Sequence, residues 1–165
     1  MTLSITAIEG ARPFAVDGWT VITDREGFLA IQKELAPGSM PLAPVSDRDA
    51  STTRKLLALS AGPIKTSLQS LREFVNGQLP PVRLAPIRCC VLGCVVDAWL
   101  LKKWLDAIPF TECSIGCNQI DMAQGEKGGC LILEGGNWKI VIAGLRTEPT
   151  ATMPHFGAQA QGGAA

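Results

Sequence analysis

The stretch VVDAWLLKKWLDAI, residues 95–108, decides the fold prediction for this chain. Asp97 is a residue type that caps helix N-termini, and Pro109 ends the segment that follows it. Between these two residues, apolar side chains recur at helical spacing, at Leu101, Trp104, Leu105 and Ile108. The pattern predicts an amphipathic helix over residues 98–108 that packs its apolar stripe on a sheet.

Extended segments lie on both sides of this helix. Three short apolar runs after it predict strands: residues 111–117, 130–133 and 138–142. The turn residues 134–137 join the last two as a hairpin, and the polar residues 119–129 fit a strand with a long loop. Before the helix, residues 83–96 read as one long strand or as two, because Pro86 breaks or bends the first part.

The N-terminal part of the chain also predicts strands. Residues 2–8 alternate in part, and the runs WTVIT and FLAIQ, at residues 19–23 and 28–32, are separated by polar residues and a glycine. Such a separation predicts a hairpin, and the pair Asp17-Gly18 before it is a second turn signal.

Two shorter helices are predicted between the strand regions. The loop 36–50 comes first, because its three prolines oppose regular structure. One helix covers residues 52–59, with Ser51 or Asp49 as its cap and its leucines toward the buried side. The other covers residues 68–75 after the cap Ser67, with Leu68, Leu71 and Val75 on one face.

The order of strands, helices and strands predicts an α+β fold, in which amphipathic helices lie on one face of an antiparallel sheet. The length of 165 residues fits one domain, which we expect to cover residues 1–148, with halves 1–80 and 81–148. Residues 149–165 are rich in Ala, Gly and Gln, with almost no charge, and predict a flexible tail.

Composition excludes several classes of protein. A chain that is 47% hydrophobic and 18% charged is neither wholly disordered nor a long coiled coil. Lys plus Arg and Asp plus Glu both number 15, so bulk charge gives no strong attraction to nucleic acid. The start lacks a secretory signal pattern, and the longest apolar run, residues 89–96, is far shorter than the ~20 residues of a spanning helix. We expect a cytoplasmic protein.

The six cysteines have two interpretations. The spacings are C-C-x3-C at residues 89–94 and C-x3-C at residues 113–117, and neither matches the usual zinc patterns. Several of these cysteines lie in apolar runs, where a reduced thiol acts as a small buried hydrophobe. We therefore expect core thiols and no metal site, with Cys117 the least determined because polar residues follow it.

Catalytic patterns are missing from the sequence. The only histidine, His155, lies in the predicted tail, and no G-x-S-x-G, P-loop or G-x-G-x-x-G motif occurs. The acidic residues Asp17, Asp24 and Glu26 fit turn positions, and no base is suggested beside a cysteine. We expect neither enzymatic activity nor a cofactor.

Residues 88–146 resemble one repeat of a bacterial DNA sliding clamp of the polymerase III β type. The likeness lies in a strand and leucine-rich helix (VVDAWLLKKWLDAIP), an alternating strand (TECSIGC) and a closing hairpin (GGCLILEGGNWKIVIAGLR). Where clamps close with Met-Pro, an apolar residue and Arg, this chain reads AGLR at residues 143–146. Residues 17–32 are similar more loosely, and TSLQSLREFVN at residues 66–76 resembles a leading helix of clamp-like proteins from phages and mobile elements.

The resemblance implies a clamp-like arrangement and a non-enzymatic association with duplex DNA, as in DNA replication. Such proteins hold phosphates through basic helix faces without base readout. The residues that would do so here are Arg54, Lys55, Arg72, Lys102 and Lys103. Ordinary solvated helix faces are the alternative interpretation. A ring also requires self-association, for which strand 138–142 could serve as an edge, although an interior place in the chain's own sheet is the alternative.

A second function class fits the same sequence. A small phage or mobile-element protein could use this fold to bind and modulate a host protein, without DNA contact. Exposed tryptophan would then serve as an anchor. Trp99 is the candidate partner-binding residue, because it lies off the apolar stripe of the 98–108 helix, and a partly buried core position is its alternative.

Overall fold

The computed structural model describes residues 13–23, 27–32, 34, 41–121, 127–145 and 149–157. Its strands are β1 (Phe14–Val16), β2 (Trp19–Thr23), β3 (Gly27–Gln32), β4 (Lys65–Ser67), β5 (Arg88–Val91), β6 (Cys94–Asp97), β7 (Glu112–Asp121), β8 (Lys127–Glu134), β9 (Trp138–Ala143) and β10 (His155–Phe156). Its helices are α1 (Asp47–Leu57), α2 (Leu68–Gln78) and α3 (Ala98–Asp106).

The strands form two sheets. Seven of them make an antiparallel sheet in the order β1-β2-β3-β9-β8-β7-β4, which we call the large sheet. The small sheet has the order β10-β5-β6, in which β5 and β6 are antiparallel and β10 runs parallel to β5. The predicted α+β class with an antiparallel sheet is confirmed.

Tight turns join two of the hairpins. Asp17 and Gly18 between β1 and β2 have φ of 51° and 85°, and Leu92 and Gly93 between β5 and β6 have the same values. Two consecutive residues with positive φ match the twist of antiparallel strands. The turn at Leu92 also resolves the alternatives for residues 83–96, because it divides that stretch into two paired strands, the first of which begins only at Arg88.

The two faces of the large sheet carry separate hydrophobic clusters. Along β3, Leu29 and Ile31 belong to the cluster that also contains α2, α3 and the small sheet. Phe28 and Ala30 alternate with them and belong to a second cluster, which includes Ala50 of α1. Alternate strand residues point to opposite faces, so the helices cover both sides of the sheet.

The prediction that all helices share one face is therefore wrong for α1. This helix lies on the other side of the sheet, where it buries Ala50 and Thr53. This helix also begins earlier than predicted, inside the expected loop 36–50. Ser46 caps it, since its side chain accepts a hydrogen bond from Asp49 N.

The other two helices lie close to the positions that the sequence predicts for them. Ser67 caps α2 by accepting from Ser70 N, and Asp97 caps α3 by accepting from Trp99 N. Asp97 Oδ1 also accepts from Ile87 N at 3.1 Å, which fixes the entry of the chain into the small sheet. The stripe of α3 is buried as predicted, with Trp104 fully enclosed.

The predicted flexible tail is corrected for residues 149–157. His155 and Phe156 form β10. In the backbone, Cys90 N donates a hydrogen bond to Pro154 O, and Leu92 N donates one to Phe156 O. The ring of Phe156 lies 5.3 Å from that of Phe74 on α2. Contacts with residues distant in the sequence hold this segment in place. Its composition, with little charge and no periodicity, does not indicate these contacts.

Some predictions fall on other parts of the chain. The strand at residues 2–8 and the tail beyond residue 157 lie outside the described residues. Strand β9 is interior, between β3 and β8, so residues 138–142 are not an edge strand and the interior alternative is confirmed. Among the helices that the structure describes, none has the length and apolar character needed to cross a membrane.

Candidate functional site

The predicted DNA contacts on α1 lie on the face of the large sheet that carries the second hydrophobic cluster. Arg54 Nε is 2.9 Å from Asp17 Oδ2, so its charge is neighboured by a carboxylate from the β1–β2 turn. This hydrogen bond lowers the pKa of Asp17 and raises the pKa of Arg54. Lys55 is exposed in the last turn of the same helix.

Arg72 on α2 is engaged within the fold. Its guanidinium donates to the carbonyl oxygens of Leu105 at 3.2 Å, Ile108 at 2.9 Å and Phe110 at 3.4 Å. These carbonyls lie at and beyond the C-terminal end of α3, where a cation satisfies unpaired acceptors and the negative end of the helix dipole. The geometry gives Arg72 a structural role at this helix end.

The two lysines of α3 are partly buried. Lys102 Nζ lies 2.9 Å from Asp106 Oδ2, one turn later, and Lys103 Nζ lies 5.4 Å from the centroid of the Trp104 ring. The five predicted contacts are thus divided between α1 on one face of the large sheet and α2 with α3 on the other. They do not form a common basic surface, and DNA contact through them stays a prediction.

Trp99, the predicted partner contact, is half-buried. Its indole Nε1 is buried, and the described residues offer it no hydrogen-bond acceptor. Trp138 is buried and stacks on Phe110, with ring centroids 4.8 Å apart. Trp99 is less exposed than is expected of an anchor residue. Its partner-binding role stays a prediction.

Among the residues that the structure describes, the most exposed large apolar side chains lie instead in residues 80–87, PPVRLAPI, which we call the proline segment. Val82 is 61% exposed and Leu84 is 88% exposed, and the segment contains neither helix nor strand. Its ends are fixed, because Leu79 and Ile87 pack against the core of the small-sheet side. The sequence does contain a signal for a non-regular segment here, because three prolines flank these apolar residues between a helix and a strand. The prediction of a strand from residue 83 onward is wrong for this part.

A row of four polar residues crosses adjacent strands of the large sheet. In register, it consists of Lys65 on β4, Ser114 on β7, Glu134 on β8 and Lys139 on β9. Lys65 Nζ donates to Ser114 Oγ at 2.8 Å, beside a cleft of about 560 Å³. Lys139 Nζ is 3.4 Å from Glu134 Oε2.

The buried end of this row closes α1. Lys139 Nζ donates to Leu57 O at 2.7 Å and also to Leu59 O. Glu134 Oε1 accepts from Ala61 N at 2.7 Å. These bonds explain why Lys139, a charged residue, lies in an apolar strand: it binds the carbonyls at the C-terminus of α1. The sequence alone does not indicate this contact, because α1 and β9 are distant in the chain.

The cysteines of the two sheets differ in exposure. Cys94 on β6 is buried, whereas Cys117 on β7 is exposed. Interaction with the Cys94 thiol lowers the pKa of Cys117 to about 7, and interaction with Cys117 together with burial raises the pKa of Cys94. Burial raises the pKa of Cys130 to about 11 and raises the pKa of Cys90.

All six cysteines are free, and five are buried as core thiols, which confirms that interpretation for them. Within the described residues, no three His, Cys, Asp or Glu side chains are grouped so as to hold a metal ion. Cys117 therefore offers an accessible sulfur with a lowered pKa.

Comparisons of this chain with protein-family models, with curated proteins and with solved structures find no match.

Proposed function

We propose that this chain is a non-enzymatic protein-binding module that inserts the proline segment into an apolar groove of a partner protein. The carrying observation is the exposure of Leu84, 88%, next to that of Val82, 61%, in a segment held at both ends by the core. Its six free cysteines favour action in a reducing compartment, the cytoplasm.

The energetics of the proline segment support this proposal. Burying a Val or Leu side chain from water yields about 1.5–3 kcal/mol. Prolines restrict the free segment, so less conformational entropy is lost when it is held by a partner. Arg83 lies between the two apolar residues, and its Nη2 is 3.8 Å from Asp97 Oδ2, so it helps to hold the segment against the start of α3.

The basic residues support the competing DNA-associated function less well. A duplex binds one continuous basic surface, and the five candidates lie on two faces of the large sheet. Arg72 donates to three backbone carbonyls, and Arg54 and Lys102 each lie beside a carboxylate. We therefore treat DNA association as the alternative that the test must distinguish.

The test compares proteins captured from extract by the wild-type chain, by Leu84→Asp and by Leu42→Asp. Leu42 is also exposed, 52%, but lies outside the proline segment, so its variant is the matched control. Both changes should leave unfolding within about 0.5 kcal/mol of wild type, because both sites face solvent. A partner retained by Leu42→Asp, lost with Leu84→Asp, and displaced by a peptide of residues 79–87 supports the proposal.

Titration of that partner should show affinity weakened roughly 10-fold to 100-fold by Leu84→Asp. Fluorescence anisotropy with a labelled duplex, at several salt concentrations, tests the alternative. Salt-sensitive DNA binding that Lys102→Glu weakens and Leu84→Asp leaves intact would overturn the proposal in favour of the DNA-associated function. An oligomer in light scattering that Leu84→Asp converts to monomer would replace the separate partner by a second copy of this chain.

A further inference from the structure

The cleft beside Lys65 lies where β4, β7 and the end of β8 adjoin in the large sheet. It has a volume of about 560 Å³, which is within the range of roughly 300–1,000 Å³ for small-molecule sites. Its lining includes Lys65, Ser67, Glu112, Ser114 and Glu134. Because charged groups and hydroxyls make up so much of this lining, the cleft fits a polar ligand.

Two charged groups of the cleft have no oppositely charged partner in the part of the chain that the structure describes. Lys65 Nζ donates to the Ser114 hydroxyl at 2.8 Å, and none of the described carboxylates forms an ion pair with it. Glu112 is exposed and forms no ion pair with the described residues either. Glu134 differs, because its carboxylate is paired with Lys139. The charges left for a ligand are one ammonium and one carboxylate.

The strand register sets the spacing of these two charges. Lys65 is opposite Ser114, and Ser67 is opposite Glu112. Lys65 and Glu112 are therefore diagonal neighbours on one face of the sheet, a relation in which Cβ atoms lie about 7–8 Å apart. Ser114 is only 8% exposed, and its hydrogen bond directs the ammonium group across the strands rather than along them toward Glu112. The two charges are held apart and do not neutralise each other.

We propose that this cleft binds a dipeptide with free termini, whose carboxylate meets Lys65 and whose ammonium meets Glu112. Two extended residues span about 7 Å, which matches the separation of the two strand positions, whereas a single amino acid is too short to reach both. The proposal is for binding alone, without a chemical step. It does not rest on the proline segment, whose ends pack on the small-sheet side, or on the function proposed for it.

The rest of the cleft suits the middle of such a ligand. Ser114 Oγ accepts from Lys65, and Ser67 Oγ accepts from Ser70 N. A hydroxyl that accepts one hydrogen bond keeps its own proton to donate, so both serines can donate to the peptide carbonyl of the ligand. Lys65 and Glu112 together carry no net charge, which favours a neutral zwitterion over an anion such as phosphate.

The experiment titrates diglycine into the ¹⁵N-labelled full chain and follows backbone amide shifts by NMR. Saturable shifts are expected at β4, at the start of β7 and at the end of β8. Lys65→Gln and Glu112→Gln should each weaken binding roughly 10-fold, the effect of losing one charged contact. Lys55→Gln is the matched control, because Lys55 is an exposed lysine of α1 that does not line the cleft, and it should bind as wild type does.

Two blocked ligands assign each terminus to its residue. N-acetyldiglycine lacks the ammonium group and diglycine amide lacks the carboxylate, so wild type should bind each of them roughly 10-fold more weakly than diglycine. Glu112→Gln should lose the discrimination against the acetylated ligand alone, and Lys65→Gln the discrimination against the amide alone. A residue that only supports the fold would not separate the two ligands in this way.

Several results would overturn the proposal. These are the absence of saturable shifts with diglycine at tens of millimolar, equal binding of glycine, equal binding of both blocked ligands, or the same loss of affinity in Lys55→Gln. Inorganic phosphate that binds through Lys65 and is not displaced by diglycine would also overturn it, in favour of an anion site. Circular dichroism of each variant establishes that it is folded before its affinity is compared.

Discussion

Replacement of Lys139 by methionine removes the cation that closes the C-terminal end of α1. Lys139 Nζ donates to the carbonyls of Leu57 and Leu59 and lies 3.4 Å from Glu134 Oε2. Methionine has a similar volume and fits an interior strand, so the change removes the charge and its hydrogen bonds with little change in packing. We expect Lys139→Met to destabilise the protein.

The magnitude follows from what is left behind. The side chain of Lys139 is 9% exposed, so water does not replace the ammonium group at the two carbonyls. Loss of one member of a buried ion pair costs about 3–5 kcal/mol. The lower end applies, because the Glu134 side chain is 23% exposed and keeps its bond from Ala61 N. A loss of about 3 kcal/mol lowers Tm by roughly 6–12 °C in a chain of this size.

Urea unfolding followed by tryptophan fluorescence measures the change in the free energy of unfolding. Lys55→Met is the matched control, because Lys55 is exposed in the last turn of the same helix. The double change Lys139→Met with Glu134→Gln should recover about 1 kcal/mol, since it removes the carboxylate left without its cation. A Lys139→Met variant within 0.5 kcal/mol of Lys55→Met would refute the reasoning.

Two further predictions concern packing and pH. A Cβ on Gly116 would overlap Ala61 O, so Gly116→Ala should cost about 1–3 kcal/mol in the same urea assay, whereas Gly136→Ala, with open space around it, should cost little; equal costs for the two variants would contradict the close contact. Burial raises the pKa of three thiols, to about 12 at Cys89 and about 11 at Cys113 and Cys130. Because these thiols ionise more readily when unfolded, their stabilising contribution is complete below pH 9 and is lost as pH rises toward 11–12, by up to about 1.4 kcal/mol per pH unit for each thiol. Urea midpoints under reducing conditions should therefore fall between pH 8 and pH 10.5, and less steeply in Cys89→Ala; an unchanged slope in that variant would exclude the thiol as the cause.

Local signals predicted the parts of the fold that local contacts determine. The cap at Asp97 and the apolar stripe after it define α3, and Ser67 correctly marks the start of α2. The cap of α1 was missed, although Ser46 followed by Asp49 three residues later is a start signal, because the neighbouring prolines suggested a loop.

The functional contacts were harder to foresee because they join distant residues. Arg72 was interpreted as a phosphate contact, but its acceptors are carbonyls more than 30 positions later, at the end of α3. The partners of Lys139 on α1 are equally remote.

The central position of β9 has a consequence for the protein during its synthesis. Phe28 on β3 pairs with Val141 on β9, about 110 positions later, so the large sheet closes only when most of the chain has been translated. Until then β3 has an open hydrogen-bonding edge and apolar side chains on both faces. The hairpin of β2 and β3 therefore emerges with an unpaired edge, the kind of strand that pairs with other chains unless it is covered.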